Sequence, residues 1–387
     1  IGVDFGFFNS RLTGTIDAYW NTTKDLLMKT AIPGITGFTS TYANVGQTSN
    51  KGIEIALQGV LVKTRDWNVT AGFNINFNRG KVDKLADNVT GLYGTEWATS
   101  STFPKSDYVL KEGRPVGLVR GLTADGFYTT DDFTYANGVY TLKEGVADVS
   151  SAVFPNYHLH NGMNERPAGQ LAYPGMAKFK DLNDDGIIND DDVDVIGDMT
   201  PVHTGGFNIN ATYKNFDLGL YFNWSYGNEI YNVNKLAALY GYKEGAVYEN
   251  KLSIVKDCYK IYDVVNGELV ALTTPEQLNA ANANAKLPLA YSENGYVSTL
   301  GIEDGSYLRL NTLTLGYTLP KSMLQKAGIS NLRVYGSIYN VFTITGYSGI
   351  DAEVSTSTST KTYPQLGMDW GTYPRARSFV LGVNLSF

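Results

Sequence analysis

Residues 67–78 decide the fold, and they read WNVTAGFNINFN. The odd-numbered positions are all apolar, whereas the even-numbered positions are Asn, Thr or Gly. Because successive side chains of a β-strand point to opposite faces, this alternation predicts a strand with one apolar and one polar face. The stretch is also longer than the ~5–6 residues of an average strand and is closer to the ~9–11 residues of a membrane-spanning strand.

The same alternation recurs along the rest of the chain. Asn-rich polar faces suit a water-filled lumen, and Trp or Tyr near strand ends suits a bilayer interface. Alternating segments are found at 53–61, 205–213, 216–226 and 379–387. Further strands are predicted at 1–8, 11–22, 307–319 and 332–342.

Composition excludes several classes of protein. Aromatic residues make up 13% and charged residues 18% of the 387 positions, which argues against intrinsic disorder. No run approaches the ~20 apolar residues of a membrane-spanning helix. The net charge is −7 and basic runs are missing, so nucleic acid is not an expected partner. Cys258 stands alone, which excludes a disulfide framework within the chain.

Connection lengths favour a membrane barrel over a soluble sandwich. Tight turns are predicted at 9–10, 63–66 and 214–215, and they alternate with long connections at 24–50, 80–202, 227–306 and 345–375. Outer-membrane barrels have short periplasmic turns and long external loops. We therefore predict an all-β fold, a transmembrane antiparallel β-barrel with long extracellular loops. Residues 1–387 would form the C-terminal part of one barrel domain, 80–202 and 227–306 would be the extracellular loop regions, and 108–128 would be an external β-rich extension.

A count of strands predicts that barrel strands precede this segment. If the tight turns are periplasmic, about nine crossings result, and the first and last strands both run toward the periplasm. Bacterial single-chain barrels have even strand numbers. Neither an initiator Met nor the features of a signal peptide are found at Ile1. We expect the signal peptide and any plug domain to lie outside this sequence.

An acidic loop at 181–192 reads DLNDDGIINDDD and resembles a calcium-binding loop. Oxygen donors at positions 1, 3, 5, 7, 9 and 12 of a twelve-residue loop surround a cation of the size of Ca²⁺, and the Gly at position 6 permits the sharp turn. A solvated turn that binds no ion is the alternative. The predicted role is structural, pinning a long external loop. The predicted ligands are Asp181, Asn183, Asp185, the carbonyl of Ile187, Asn189 and Asp192.

Four stretches in this order resemble the SusC/RagA-type TonB-dependent outer-membrane transporters. They are 205–232 (GGFNINATYKNFDLGLYFNWSYGNEIYN), 302–320 (IEDGSYLRLNTLTLGYTLP), 331–353 (NLRVYGSIYNVFTITGYSGIDAE) and 373–387 (YPRARSFVLGVNLSF). The acidic loop and the block 11–78 are similar to that family as well. Ala352 stands where the family often has Pro, and residues 241–300 match it poorly.

The resemblance implies a barrel of roughly 22 strands in the bacterial outer membrane, with an N-terminal plug. It also implies import of an oligosaccharide or a peptide, driven by the TonB complex, beneath a SusD-type surface lipoprotein that acts as a lid. No plug or TonB-contacting residue can be carried over to this sequence. The end of the chain is similar to the signal for barrel assembly, which is carried here by Phe379, Leu381, Val383, Leu385 and Phe387.

Active import of a bulky nutrient is the leading hypothesis, with no catalytic residue. Its alternatives are a soluble calcium-bearing β-sandwich that binds a ligand, and an outer-membrane barrel enzyme. The enzyme would need a Ser/His/acid group in the lumen, and only His203 of the three histidines lies near a predicted strand. Aromatic rings stack on sugar rings and on apolar groups of peptides. Candidate contacts to cargo are Trp97, Tyr231, Tyr240, Tyr242, Trp370 and Tyr373.

Overall fold

Nine long strands form one antiparallel sheet whose spatial order is the order of the chain. The computed structural model describes residues 1–31, 35, 37, 40–86, 89–154, 166–239, 251–290, 295–324, 328–356 and 365–387. This sheet confirms the predicted fold class. Its strands are β1 (Gly2–Phe7), β2 (Leu12–Ala31), β3 (Ser40–Lys63), β4 (Trp67–Lys84), β5 (His203–Tyr213), β6 (Phe216–Tyr226), β7 (Tyr307–Thr318), β8 (Asn331–Thr345) and β9 (Ser378–Ser386).

The remaining elements are short and lie in the connections. None of the described helices is both long enough and apolar enough to cross a membrane. The short strands are Leu92–Gly94, Thr102–Phe103, Tyr108–Leu110, Leu118–Gly121, Ala124–Phe127, Phe133–Ala136, Val139–Leu142, Asp148–Val149, Ala177–Phe179, Ile187–Ile188, Asp194–Asp198, Glu229–Asn232, Tyr262–Val265, Glu268–Ala271, Gly295–Tyr296, Ile302–Asp304 and Met368–Asp369. The α-helices are Val233–Leu239, Pro275–Asn282 and Lys321–Leu324, and the 3₁₀ turns are Thr130–Asp132, Asp190–Asp192, Ser253–Asp257 and Thr299–Gly301.

The predicted long connection at 24–50 is wrong, because β2 and β3 continue as a hairpin through most of it. Their pairing extends from Leu12 opposite Gly59 to Ala31 opposite Ser40, with irregularities between Thr23 and Leu27. The ladder is held by backbone hydrogen bonds and needs no alternation of side chains. Strand β4 likewise extends to Lys84, beyond the end that its side-chain pattern indicates.

Short and long connections lie at opposite edges of the sheet. Residues 8–11, 64–66, 214–215 and 319–330 join strands at one edge, whereas 85–202, 227–306 and 346–377 join them at the other; residues 32–39, between β2 and β3, are the exception, a short connection at the second edge. Lys214 adopts a φ of +51° in the two-residue turn between β5 and β6, as tight hairpin turns require. We call the described parts of the three long connections the cap.

The register confirms that the two faces of the sheet differ. On one face Leu57 pairs with Phe73, Phe73 with Phe207, and Phe207 with Phe222, so an apolar row crosses four strands. The rings of Phe207 and Phe222 stack with centroids 4.3 Å apart. On the opposite face the adjacent row carries Gln58, Gly72, Asn208 and Tyr221.

Among the described residues, the buried clusters lie in the cap and at its junction with the strands, and none of them lies on the apolar face of the sheet. The largest one packs Tyr128, Tyr140 and Tyr173 from the first long connection against Leu278 from the second. On the sheet, by contrast, Phe73 remains 39% exposed and Leu381 88% exposed. Among the described residues no second sheet covers this face, which is the opposite of what the soluble sandwich requires.

Aromatic rings border the apolar face at both ends. Trp67 and Tyr213 have ring centroids 4.4 Å apart at the edge with the short turns. At the cap edge the His203 imidazole stacks on Tyr226 at 5.0 Å and meets the edge of Phe77 at 5.4 Å. Residues 67–77 span about 33 Å along the strand, or about 25 Å once the usual barrel tilt is applied. This height matches the apolar band of an outer-membrane barrel.

Candidate functional site

A small three-stranded sheet in the cap brings distant connections together. Glu229–Asn232 pairs antiparallel with Ile302–Asp304 and parallel with Met368–Asp369. The helix Val233–Leu239 begins directly after this strand. Residues that follow β6, precede β7 and precede β9 therefore meet at one place above the sheet.

A cleft of about 390 Å³ opens beside this small sheet. Its wall combines amides, hydroxyls, one carboxylate and one ammonium group with a few aliphatic side chains. The lining residues are Asn232, Asn234, Lys235, Leu252, Ser253, Ile254, Ser348, Gly349, Ile350, Asp369, Gly371 and Thr372.

Asp369 fixes one side of the cleft. Its carboxylate accepts hydrogen bonds from the Tyr347 hydroxyl at 2.6 Å and from the Thr372 hydroxyl at 2.8 Å. Burial and the hydrogen bond to Asp369 raise the pKa of Tyr347, so this phenol remains a donor. The Asn234 amide donates to the Asp369 carbonyl at 3.1 Å and accepts from the Gly371 N–H at 2.9 Å.

Glu303 fixes the other side of the cleft. Its carboxylate accepts from the Asn232 amide at 3.2 Å and from the backbone N–H and hydroxyl of Ser348 at 2.9 and 2.8 Å. The Lys235 ammonium lies 3.2 Å away. Burial by itself raises the pKa of Glu303, but the bonds from Ser348 and the charge of Lys235 outweigh it and leave the pKa below its usual value. The Glu303 carboxylate therefore stays charged and holds two of the long connections together.

The predicted aromatic contacts separate into exposed and buried residues. Trp370, between two lining residues of the cleft, is 49% exposed, and Tyr373 is 88% exposed. Tyr231 has no exposed surface, because it packs at the centre of a cluster with Tyr108 and with the half-buried Trp97. Tyr231 is thus a packing residue in this conformation, contrary to the prediction that it contacts cargo. Tyr240 and Tyr242 lie outside the described residues.

A buried ion network attaches the last connection to the polar face of the sheet. Arg309 of β7 bonds the carboxylate of Asp351 and lies 3.1 Å from that of Glu353. Arg375 reaches the same two carboxylates at 3.1 and 2.8 Å. Arg309 is only 2% exposed, and its Nε donates to the Thr343 hydroxyl at 3.0 Å. The cap therefore folds onto the face that carries the Asn and Thr rows.

The acidic loop forms a compact turn closed by its own side chains. Asp181 accepts the backbone N–H groups of Asp185 and Gly186 at 3.3 and 2.7 Å. Gly186 has a φ of +85°, as the sharp turn of the loop requires. The fully buried Asp192 accepts from the N–H groups of Leu182 and Asn189 at 2.7 and 2.8 Å.

The other predicted ligands of this loop are also engaged internally. The Asn183 side chain accepts from the Asp185 N–H, the Asp185 carboxylate accepts from the Ile187 N–H, and the Asn189 amide donates to the Ile187 carbonyl. Within the described part of the chain, no group of three or more His, Cys, Asp or Glu side chains is placed to hold a metal ion. The calcium prediction therefore depends on the spacing of the donors rather than on their present geometry.

His203 is held between aromatic side chains of neighbouring strands. Its Nδ1 accepts a hydrogen bond from the Trp224 indole at 3.0 Å, and its ring stacks on Tyr226. It lies on the apolar face, opposite Phe77 of β4, rather than on the polar face. His158 and His160 lie outside the described residues.

The residues predicted to form the assembly signal share the apolar face of β9. Phe379 lies opposite Ile338, Leu381 opposite Gly336, and Val383 opposite Val334. Phe387 follows the strand and is 86% exposed. Their placement agrees with a lipid-facing final strand, and recognition by the assembly machinery stays a prediction.

Sequence reasoning missed the polar residues that build the cleft. Asn234 and Glu303 lie far apart in one long connection, Asp369 lies in another, and the three follow no periodic pattern. The buried ion pair of Arg309 and Asp351 is equally hard to predict from the sequence, because the connection 319–330 and strand β8 separate the two residues along the chain. The unusual position of an Arg within the alternating stretch of β7 was the one available signal.

Comparison with known proteins shows that the chain is similar to TonB-dependent receptors. Residues 1–173 match the family described as TonB dependent receptor-like, beta-barrel. The whole chain is 30% identical to the TonB-dependent receptor P3 of Formosa agariphila and 28% identical to the TonB-dependent receptor SusC of Bacteroides thetaiotaomicron, covering 33% and 31% of their lengths. The RagAB peptide transporter structure shares the fold over the whole chain, with a TM-score of 0.68 and 24% identity, and the chain covers 34% of it.

The chain thus spans about a third of the length of the curated relatives it matches. The predicted resemblance and the predicted location are both confirmed. The apolar face, its two aromatic borders and these relatives lead to one conclusion: this chain is an outer-membrane β-barrel segment that is similar over its whole length to TonB-dependent receptors, SusC among them, and that shares its fold with the RagAB structure.

Proposed function

We propose that the protein containing this segment imports a bulky nutrient, an oligosaccharide or a peptide, across the outer membrane with energy from the TonB complex. In this proposal the sheet supplies part of the barrel wall, its polar face lines the lumen, and the cap receives cargo at the outer surface. The single observation that carries it is the cap itself, whose largest core contains no residue of the nine long strands and whose polar cleft is lined only by residues of the long connections.

The chemistry of the cleft suits cargo rich in hydroxyl or peptide groups. Amide and hydroxyl side chains offer both donors and acceptors, and the exposed ring of Trp370 offers a face for stacking. The lid is proposed to be a surface lipoprotein of the SusD type that docks on the cap. The names of two relatives support TonB-driven import and a peptide cargo, since SusC is a TonB-dependent receptor and RagAB is a peptide transporter.

Replacing Trp370 by alanine in the full-length receptor is expected to weaken cargo capture without preventing assembly. Loss of one stacking ring in a central contact should raise the half-saturating cargo concentration by roughly tenfold. Uptake of labelled oligosaccharide and peptide pools by energised cells measures this, and Tyr373→Ala should show a smaller change.

Tyr135→Ala is the matched control, since Tyr135 is a cap aromatic outside the cleft. Receptor-dependent uptake that a protonophore abolishes supports the proposal. If the intact receptor carries neither pool in energised cells, import of these nutrients is ruled out as its function.

We also propose that the acidic loop binds Ca²⁺ and thereby stiffens the first long connection. The support is the set of oxygen donors at calcium-loop spacing from Asp181 to Asp192. Calcium should raise the midpoint of thermal unfolding of the cap relative to EGTA, and Asp181→Ala should remove that increase. Asp184→Asn, which changes a residue outside the ligand positions, should keep it. An intact receptor that responds equally to calcium and EGTA contradicts this role.

A further inference from the structure

A row of cations lies on the apolar face just above its cap-side aromatic border. Lys51 of β3 stands directly opposite Arg79 of β4, and Trp20 of β2 stands opposite Lys51. The next row toward the band carries Ile53, opposite Phe77. Since residues two apart share a face, Lys51 and Arg79 point to the same side as the apolar band.

Two like charges directly opposite each other destabilise a sheet unless something compensates them. Lys51 has no ion pair or side-chain hydrogen bond within the described residues. The Arg79 guanidinium donates to the neutral carbonyl of Pro201 at 3.1 Å. Lys81, the next residue on this face of β4, lies 3.2 Å from Asp83. Within the part of the chain that the structure describes, the row therefore keeps a surplus of positive charge.

The height of this row sets which partner can supply the negative charge. His203, Tyr226 and Phe77 mark the border where hydrocarbon gives way to the headgroup layer. Lys51 and Arg79 lie one row beyond this border, and their long side chains are exposed. At this level of a bilayer, phosphate groups carry negative charge. The planar guanidinium of Arg can donate two parallel hydrogen bonds to one phosphate group.

We propose that Lys51, Arg79 and Lys81 form a binding site for the phosphorylated headgroup of an anionic lipid in the outer leaflet, with the exposed ring of Trp20 packing beside it. The lipid chains continue down the apolar face that is already in contact with the bilayer, so headgroup and chains bind one continuous surface. The site depends on membrane location alone and is independent of the cargo.

Native mass spectrometry of the full-length receptor, titrated with a phosphorylated anionic lipid, tests the site. Each cation near a charged lipid surface changes affinity by roughly fivefold, so the Lys51→Gln/Arg79→Gln pair should lose about 25-fold. Lys256→Gln/Lys260→Gln, two exposed cap cations away from the border, is the matched control and should bind as the parent does. Heat-modifiable migration on a gel confirms that each variant is folded.

Two further titrations distinguish a lipid phosphate from free inorganic phosphate as the ligand. A zwitterionic lipid of the same chain length should bind all variants equally, because it carries no net charge. Excess inorganic phosphate should displace little of the anionic lipid, since it lacks the chains. Complete displacement by inorganic phosphate would identify a simple anion site, and an equal loss in both variant pairs would show that the row has no special role. Either result overturns the proposal.

Discussion

Replacing Arg309 by methionine is expected to release the connection 346–377 from the polar face of the sheet. The change leaves Asp351, which is 9% exposed, with one cation instead of two. Removing one partner of a buried ion pair costs about 3 kcal/mol or more, because the remaining charge is poorly solvated. Hydrogen exchange of the backbone amides at 346–356 should therefore speed up by roughly a hundredfold, if those amides exchange through local opening.

Two further variants distinguish the ion network from general damage to the strand. Arg377→Met removes an exposed Arg of the same connection, which donates a long hydrogen bond of 3.4 Å to the Asn340 carbonyl, and it should change the exchange rate very little. Arg309→Met/Asp351→Leu removes both buried charges and should recover part of the loss. Equal effects of Arg309→Met and Arg377→Met would show that the network does not hold the connection.

The strands could be predicted from the sequence because their side chains face two different media. Between Trp67 and Phe77 every second residue meets an apolar medium, so the alternation is strict. Beyond the apolar band that constraint disappears, and the hairpin of β2 and β3 continues with no signal in its side chains. The sequence therefore shows where the apolar band ends, but it does not show where the backbone pairing of β2 and β3 ends.

The cleft could not be predicted for a related reason. Asn234, Glu303 and Asp369 are brought together by pairing between strands of only two to four residues. Such strands are too short to show a period, and the pairing depends on packing in the cap. Tyr231 illustrates the consequence, because an aromatic residue in a connection was expected to be exposed and is instead part of a core.

Ala71→Arg is expected to destabilise the barrel strongly, although it removes no packing group. Ala71 lies on the apolar face near the middle of residues 67–77, opposite Ile209. An Arg near the bilayer midplane of a barrel costs about 2–4 kcal/mol. Thr70→Arg places the same side chain on the preceding residue, whose side chain lies on the face that we assign to the wet lumen. There an added cation should reduce the free energy of unfolding by less than about 1 kcal/mol.

The central claim is that bilayer hydrocarbon covers the apolar face of this sheet. Its most direct test is the free energy of unfolding of the full-length receptor in lipid vesicles, measured by denaturant titration for these two variants. The account predicts a loss for Ala71→Arg that exceeds the loss for Thr70→Arg by about 1 kcal/mol or more. Equal losses, or a larger loss for Thr70→Arg, would contradict it.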